Sequence, residues 1–329
     1  MIDIDFIVLW VDGSDTEWQK QFNKYLPEDK KRLDIGNNKY RDNGLLKYWF
    51  RGIEKNVPWV RKIHFVTMGQ IPQWLNTANP KIHIVNHSDF IDPEYLPLFN
   101  SSAIELNIHK IPDLAEHFVY FNDDFFLIDK VAASEYFSDS GLPKDSAIFR
   151  SIPISEYGKL LLNDELLIKS KINRKLCFRK NKNKFFSLKY KKRVINNLFY
   201  QNKIDDAYLE CCHYSRPLTK SAFEDGWNLF GEELSQTMKN RYRTNNDNTF
   251  CVFRRLNMYK GKFFPSNNES GRMLCEIHKD ITKICSTIKE KKVREIVIND
   301  TLCSDYDKRM KMIVEAFDSI LSDKSSFEL

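Results

Sequence analysis

Three short apolar runs of this sequence end in carboxylates. Phe6-Ile7-Val8-Leu9-Trp10-Val11 leads into Asp12-Gly13-Ser14-Asp15, Phe118-Val119-Tyr120-Phe121 into Asn122-Asp123-Asp124, and Glu295-Ile296-Val297-Ile298 into Asn299-Asp300. Carboxylates are hard oxygen ligands, and several brought together hold Mg²⁺ or Mn²⁺, ions that bridge the phosphates of a nucleotide substrate. Asn and Asp are also ordinary turn formers, so residue type alone does not separate the two readings. Placement favours the metal, because ligands of open α/β sheets bind at the carboxyl ends of the strands.

Other groups could complete a phosphate site. Arg41-Asp42-Asn43 precedes a helical pattern. Asp42 there can act as a helix cap, while Arg41 can fork onto phosphate oxygens. His213, in Cys212-His213-Tyr214-Ser215-Arg216-Pro217, sits in a loop-like segment. A lone histidine is more often structural, yet its charge changes near neutral pH, which suits a general base for a sugar hydroxyl. Arg241 and Arg243 flank Tyr242 and can offset phosphate charge or simply pair at the surface.

The elements that must position these groups are read from periodicity. The apolar run Phe6–Val11, with β-branched members, predicts a buried strand, and Ile63–Thr67, Ile82–Val85, Phe118–Phe121 and Glu295–Ile298 are further strand-like runs. Leu45, Leu46, Trp49, Phe50 and Ile53 recur at helical spacing, a helical pattern surrounds Ser101 to His109, and a closing amphipathic helix is expected from about Asp305 to Leu321. The alternation predicts an α/β fold: a Rossmann-like, mostly parallel sheet with helices on both faces. Residues 1–138 and 205–329 form the catalytic core in this reading, and 139–204, irregular and basic, an insertion or small subdomain. There is no P-loop or G-x-G-x-x-G fingerprint, so phosphate must be held by other means.

The chain's 42% hydrophobic and 13% aromatic content excludes a disordered chain. Net charge is only +6, but Lys169 to Arg193 contains twelve Lys or Arg and no Asp or Glu. That stretch could face an anionic membrane or a pyrophosphate-bearing acceptor, or be a solvated lysine-rich face. The small net charge argues against nucleic acid. Seven cysteines show no C-x-x-C or zinc-like spacing and are expected to be reduced. The first residues carry acids where a secretory signal carries bases, and no apolar run approaches the ~18 residues of a membrane span. The expected location is cytoplasmic, at most peripheral on the inner face of the membrane.

In order, these segments resemble the four sequence blocks of the Stealth family, which includes bacterial capsular-polysaccharide phosphotransferases and the animal N-acetylglucosamine-1-phosphotransferase of lysosomal targeting. The first block is Ile4 to Asp15, continuing to Trp18. The second runs from Tyr40-Arg41-Asp42-Asn43-Gly44 through Gly69-Gln70-Ile71-Pro72 to Asn122-Asp123-Asp124. The third is His213 to Pro217 with Arg241-Tyr242-Arg243, and the fourth Ile298-Asn299-Asp300. Met68 stands where the family often has Asp, and Tyr242 where Phe is common.

The resemblance implies a transferase that moves hexose 1-phosphate from a UDP-sugar to a hydroxyl of a lipid-linked oligosaccharide, releasing UMP. A metal-dependent glycosyltransferase releasing UDP is the alternative that an aspartate-rich turn would also serve. It further implies Asp123, Asp124 and Asp300 as ligands of Mg²⁺ or Mn²⁺. Asp12, Asp123, His213 and Arg243 are the implied catalytic groups, with His213 the base. Arg41, Asp42, Asn43, Gln70, Asn122 and Arg241 are the implied substrate contacts.

Overall fold

A computed structural model describes residues 2–26 and 40–329. The chain opens with β1 (Ile4–Leu9), α1 (Thr16–Tyr25), α2 (Leu46–Asn56), β2 (Ile63–Thr67), β3 (Ile82–Asn86), α3 (Ser101–Glu105), β4 (His117–Asn122) and β5 (Phe125–Leu127). The middle comprises β6 (Lys144–Asp145), β7 (Phe149–Ser151), α4 (Glu156–Lys171), α5 (Arg174–Lys180), α6 (Lys182–Phe185), α7 (Val194–Tyr200) and β8 (Ala207–Leu209). It closes with β9 (Arg216–Thr219), α8 (Lys220–Met238), α9 (Cys251–Lys260), β10 (Phe264–Pro265), β11 (Arg272–Glu276), α10 (Ile281–Lys289), β12 (Glu295–Asn299) and α11 (Tyr306–Asp318).

The main sheet has the order β3-β2-β1-β4-β9, parallel throughout except for β9, which runs antiparallel to β4. Its central strands are largely apolar because both faces are covered, with Asp5 of β1 and His64 of β2 as buried polar exceptions. Side chains alternate across the sheet. Phe6 and Val8 of β1, with Val119 and Phe121 of β4, enter one core with α2, α10 and α11. Ile7, Phe118 and Tyr120 enter a second core with α3, α8 and α9. Helices on both faces of a mostly parallel sheet make the architecture α/β, as the alternation of runs predicts.

A smaller sheet, β11-β12-β5, sets up the site. Asn122 ends β4 and Phe125 opens β5, so Asp123 and Asp124 form the link that carries the chain from the large sheet to the small one. β5 runs antiparallel to β12, and Ile298 N donates to the Asp124 carbonyl at 3.0 Å. That pairing delivers the end of β12, and with it Asp300, to the same crevice as Asp124.

The segment 139–204 is not irregular. It holds four helices, and α4 alone spans 16 residues. Periodicity missed α4 because its apolar residues lie on opposite sides: Leu161, Leu167 and Ile168 are buried, whereas Leu162 and Leu166 are exposed. Leu167 and Ile168 join Phe149, Phe178, Phe185 and Tyr190 in the core shared with α8 and α9.

At the far end of β1, the fully buried Asp5 accepts from Arg61 Nε and Nη2 at 2.8 and 2.6 Å and from Ala115 N at 2.8 Å, with His64 Nε2 at 2.9 Å. Burial pushes its carboxyl up, but the bonds to His64, Arg61 and Ala115 outweigh it and leave the group below its ordinary value. A lowered folded value stabilises above the unfolded value, and that contribution is lost as pH falls through the folded one. Asp5→Asn should therefore cost about 3 kcal/mol, since it takes the anion from the buried His64 imidazole and leaves Arg61 paired with the exposed Asp113. Urea unfolding at neutral pH reads this as a lower midpoint, and an unchanged midpoint would show that the network contributes nothing net.

Candidate active site

Asp12, Asp123, Asp124 and Asp300 follow the carboxyl ends of β1, β4 and β12, with β1 and β4 paired so that Leu9 lies opposite Asn122. Asp12 is held at its backbone by Gln70: Asp12 N donates to Gln70 Oε1 at 3.1 Å and Gln70 Nε2 donates to the Asp12 carbonyl at 2.8 Å. Gln70 thus spends both amide atoms on positioning the first acid. Asp12 Oδ1 accepts from Ser14 N and Oγ at 2.8 and 2.6 Å.

The acids crowd one another. The Asp123 carboxyl is pushed up to about 8 by burial and then by the negative charges of Asp124, Asp42 and Asp300. Burial also raises Asp42, with Asp12 adding to the effect, and raises Asp300 against the opposing pull of Arg41 and Tyr306. Asn122 Oδ1, Asp124 Oδ1 and Asp300 Oδ1 are buried with no hydrogen-bond partner among the described residues. Buried oxygens without donors are costly, and carboxyls raised by one another call for positive charge. A divalent cation meets both needs, so Asp123, Asp124 and Asp300 fit a hard metal ion in donor chemistry. Among the described residues only Glu210, Cys212 and Glu269 bring three ligand atoms within 4.8 Å of one another, so Asp123, Asp124 and Asp300 would have to close further to share one ion. Arg193 pairs with both glutamates there, so a cation already stands in that cluster.

Cations and the histidine approach from the crevice wall. Arg41 Nε lies 3.6 Å from Asp300 Oδ2, and its guanidinium sits 4.2 Å from the centroid of the Tyr306 ring, whose hydroxyl donates to the same carboxylate oxygen at 3.2 Å. Asp42 and Asn43 do not cap α2. Their Oδ1 atoms accept from Gly44 N and Leu45 N at 3.1 Å each, and the cap position is Leu45. His213 Nε2 is 3.8 Å from Asp124 Oδ2, and its ring meets Phe125 edge-on with centroids 4.8 Å apart.

Arg216 Nη2 lies 3.1 Å from His213 Nδ1. A guanidinium can only donate, so Nδ1 accepts and the neutral ring carries its proton on Nε2, toward Asp124. Arg216 lies against the rings of Tyr120, Phe125 and Phe250. Neither Arg216 nor Tyr306 stood out in the sequence. The one signal for Arg216 is its place three residues after His213, at the start of a strand.

Beside the acids opens a cavity of ≈ 480 Å³, lined by Trp10, Trp18, Tyr40, Phe99, Tyr120 and Tyr242 together with Glu105, Asn122, Asp123 and Arg243. Arg241 and Arg243 divide their work. Arg243 lines the cavity and donates to Ser101 Oγ, whereas Arg241 Nη1 donates to the Pro97 carbonyl at 3.0 Å and its guanidinium lies over Tyr25. Tyr242 between them stacks on Phe99 with centroids 5.4 Å apart and donates to the Phe22 carbonyl, a bond that Phe could not make. Met68 packs against the same aromatic cluster and lines the cavity, an apolar wall element there. A volume in this range suits a small-molecule ligand, and the acids at one end select for a phosphorylated one bound with a cation.

Comparison with known proteins decides the family. Residues 3–30 match the model described as Stealth protein CR1, conserved region 1, and residues 39–145 match Stealth protein CR2, conserved region 2. The exopolysaccharide phosphotransferase cps2G of Lactiplantibacillus plantarum is 36% identical, over 99% of this chain and 96% of its own. The chain belongs to the Stealth family. Two further relatives at 35% identity are the capsular polysaccharide phosphotransferase WcwK of Streptococcus pneumoniae, over 100% of this chain and 98% of its own, and the receptor polysaccharide phosphotransferase WefC of Streptococcus oralis, over 100% of both. Among solved structures, the galactosyltransferase LgtC superposes with a TM-score of 0.43 at 9% identity over 96% of each chain.

Like these relatives, the protein is an enzyme of the phosphotransferase class. Asp12, Arg41, Gln70, Asp123 and Asp124 of this Stealth enzyme lie inside the two matched regions; His213, Arg243 and Asp300 lie outside them. The contacts His213–Asp124 and Arg41–Asp300 bring residues from both sets into one crevice.

Proposed function

We propose that this enzyme transfers hexose 1-phosphate from a UDP-sugar to a hydroxyl of a lipid-linked oligosaccharide during assembly of a capsular or cell-surface polysaccharide. The observation that carries the reading is that buried, unpartnered oxygens of Asn122, Asp124 and Asp300 stand near Asp123 beside an aromatic cavity that Asn122, Asp123 and Arg243 line, with Arg41 reaching Asp300. In phosphoryl transfer the protein contributes chiefly alignment and charge stabilisation.

The aromatic walls would take the nucleoside, and Arg243 the charge of its phosphates. Mg²⁺ or Mn²⁺ bound by Asp123, Asp124 and Asp300 would supply neutralisation of the pyrophosphate and of the departing nucleotide. The acceptor oxygen attacks the β-phosphorus, the bond from that phosphorus to the oxygen bridging to the α-phosphate breaks, and UMP leaves. His213 takes the hydroxyl proton, and Arg41, braced by Tyr306 and Asp300, lies at the edge where charge accumulates. Asp124 would balance the imidazolium formed. The product is a phosphodiester between sugar and acceptor. Work on a lipid-linked acceptor would place the enzyme on the cytoplasmic face of the cell membrane; no helix among the described residues is long and apolar enough to cross one.

Mass spectrometry of both products tests the reaction, after incubation with UDP-hexoses, Mg²⁺ and a lipid-linked oligosaccharide extract. UMP with a hexose-phosphate mass gain on the acceptor is expected. UDP with a hexose-only gain would mean attack at the anomeric carbon and a metal-dependent glycosyltransferase instead.

A further inference from the structure

Exposed apolar side chains are concentrated in one stretch of the chain. Of the fifteen large hydrophobic residues exposed among the described residues, nine lie between Ile154 and Phe199, about a seventh of the chain. Scattered surface leucines need no explanation, but a contiguous apolar patch does. On α7, Ile195, Leu198 and Phe199 are 62, 52 and 65% exposed, and their spacing puts them on one face of the helix. Leu188, in the turn ahead of α7, is 90% exposed.

This face is held out rigidly. On the inner side of α7 the buried Asn197 donates to the carbonyls of Ala147 and Phe185, both at 2.7 Å, and accepts from Phe149 N at 2.8 Å. The helix therefore cannot roll its apolar face inward without breaking three buried hydrogen bonds. Lys189, Lys191 and Lys192 are exposed beside it, and none has a carboxylate within salt-bridge distance among the described residues. Arg179, Lys180 and Lys182 are exposed cations in the same condition, so the apolar face of α7 is preceded by a lysine-rich turn in a strongly cationic stretch of chain.

We propose that the outer face of α7, with the lysine-rich turn before it, docks on an anionic lipid bilayer. Leucine, isoleucine and phenylalanine gain by leaving water for the acyl boundary, while lysines gain from the negative surface potential, and the two together define an interfacial helix. Charge decides against a second copy of the chain, since a two-fold contact through this face would set lysine against lysine. It also explains the fixed inner side, because a rigid mount transmits the orientation of the membrane to the rest of the protein. Arg193, between turn and helix, pairs with Glu210, three residues before His213. The docking face is thus tied to the segment between β8 and β9 that carries the proposed base. The inference does not depend on the phosphotransfer reading, and it is tested without turnover.

Flotation of the full chain with vesicles tests it. The protein should float with vesicles of phosphatidylcholine mixed with phosphatidylglycerol, stay behind with phosphatidylcholine alone, and be released by salt. Leu198→Ser with Phe199→Ser, and separately Lys191→Glu with Lys192→Glu, should each lower the bound fraction at least about tenfold, with circular dichroism and Tm unchanged because all four side chains face solvent. Equal binding to neutral vesicles, or variants that float like the wild type, would overturn the proposal. So would a wild-type dimer in light scattering that the serine pair renders monomeric, since the face would then be covered by a second copy.

Discussion

Asp123→Asn is expected to lower kcat by about 10³-fold or more while raising the melting temperature of the metal-free protein. The two effects share one cause. Burial and the charges of Asp124, Asp42 and Asp300 push the Asp123 carboxyl up to about 8. A carboxyl raised in the folded state binds its proton more tightly there than in the unfolded chain. Between the unfolded value of about 4 and the folded value of about 8, the native state holds more protons, so stability falls as pH rises across that window. An uncharged isostere removes this share of the fall together with the ligand. In EDTA, the wild-type Tm should decline from mildly acidic to mildly basic pH, and that of the variant should decline less, with Asp42 and Asp300 still raised, and lie higher at pH 8. Added Mg²⁺ or Mn²⁺ should raise the wild-type Tm in proportion to ligand binding and leave the variant nearly unmoved. A variant that keeps its turnover, or one that melts lower in EDTA, would show that Asp123 is a structural carboxyl.

The strained acids account for what the sequence could and could not reveal. Mostly apolar runs such as Ile63–Thr67, polar only at His64 and Thr67, translate into buried parallel strands because both faces of the main sheet are covered. The run Phe6–Val11 was displaced by two residues: β1 is Ile4–Leu9, and Trp10 and Val11 leave the sheet to line the cavity. Apolar residues there serve the ligand site, and hydropathy cannot tell that use from strand burial. β5, only three residues long, was invisible beside the Asp123-Asp124 turn, yet it directs β12 and Asp300 to the crevice. Spacing likewise could not separate Arg243, at the cavity, from Arg241, whose guanidinium is used by the Pro97 carbonyl. Such divisions depend on contacts distant in sequence, as does the pairing of Gln70 with the backbone of Asp12.

His213 poses the second large effect. His213→Ala should reduce kcat by about 10²- to 10⁴-fold, the usual worth of a general base, with little change in KM for the donor. The contact with Arg216 makes a sharper test possible. Because Arg216 donates to Nδ1, the resting ring holds its proton on Nε2, the nitrogen nearest Asp124. To accept a proton at Nε2, the ring must first move its own proton to Nδ1, and Arg216 must leave that nitrogen. Binding of an anionic donor can draw Arg216 away, since among the described residues its guanidinium contacts aromatic faces and the imidazole and feels the charge of Glu105 without a salt bridge to it. A glutamine at 213 can still donate a hydrogen bond near Asp124 but cannot take a proton. If His213 is the base, His213→Gln should be as inactive as His213→Ala, and the acid limb of the kcat/KM profile should be absent from the residual activity of both. If His213 instead donates to a phosphoryl oxygen, His213→Gln should retain most of the wild-type rate. The separation of these two variants, measured as single-turnover rates at saturating donor, therefore assigns the direction in which the proton moves.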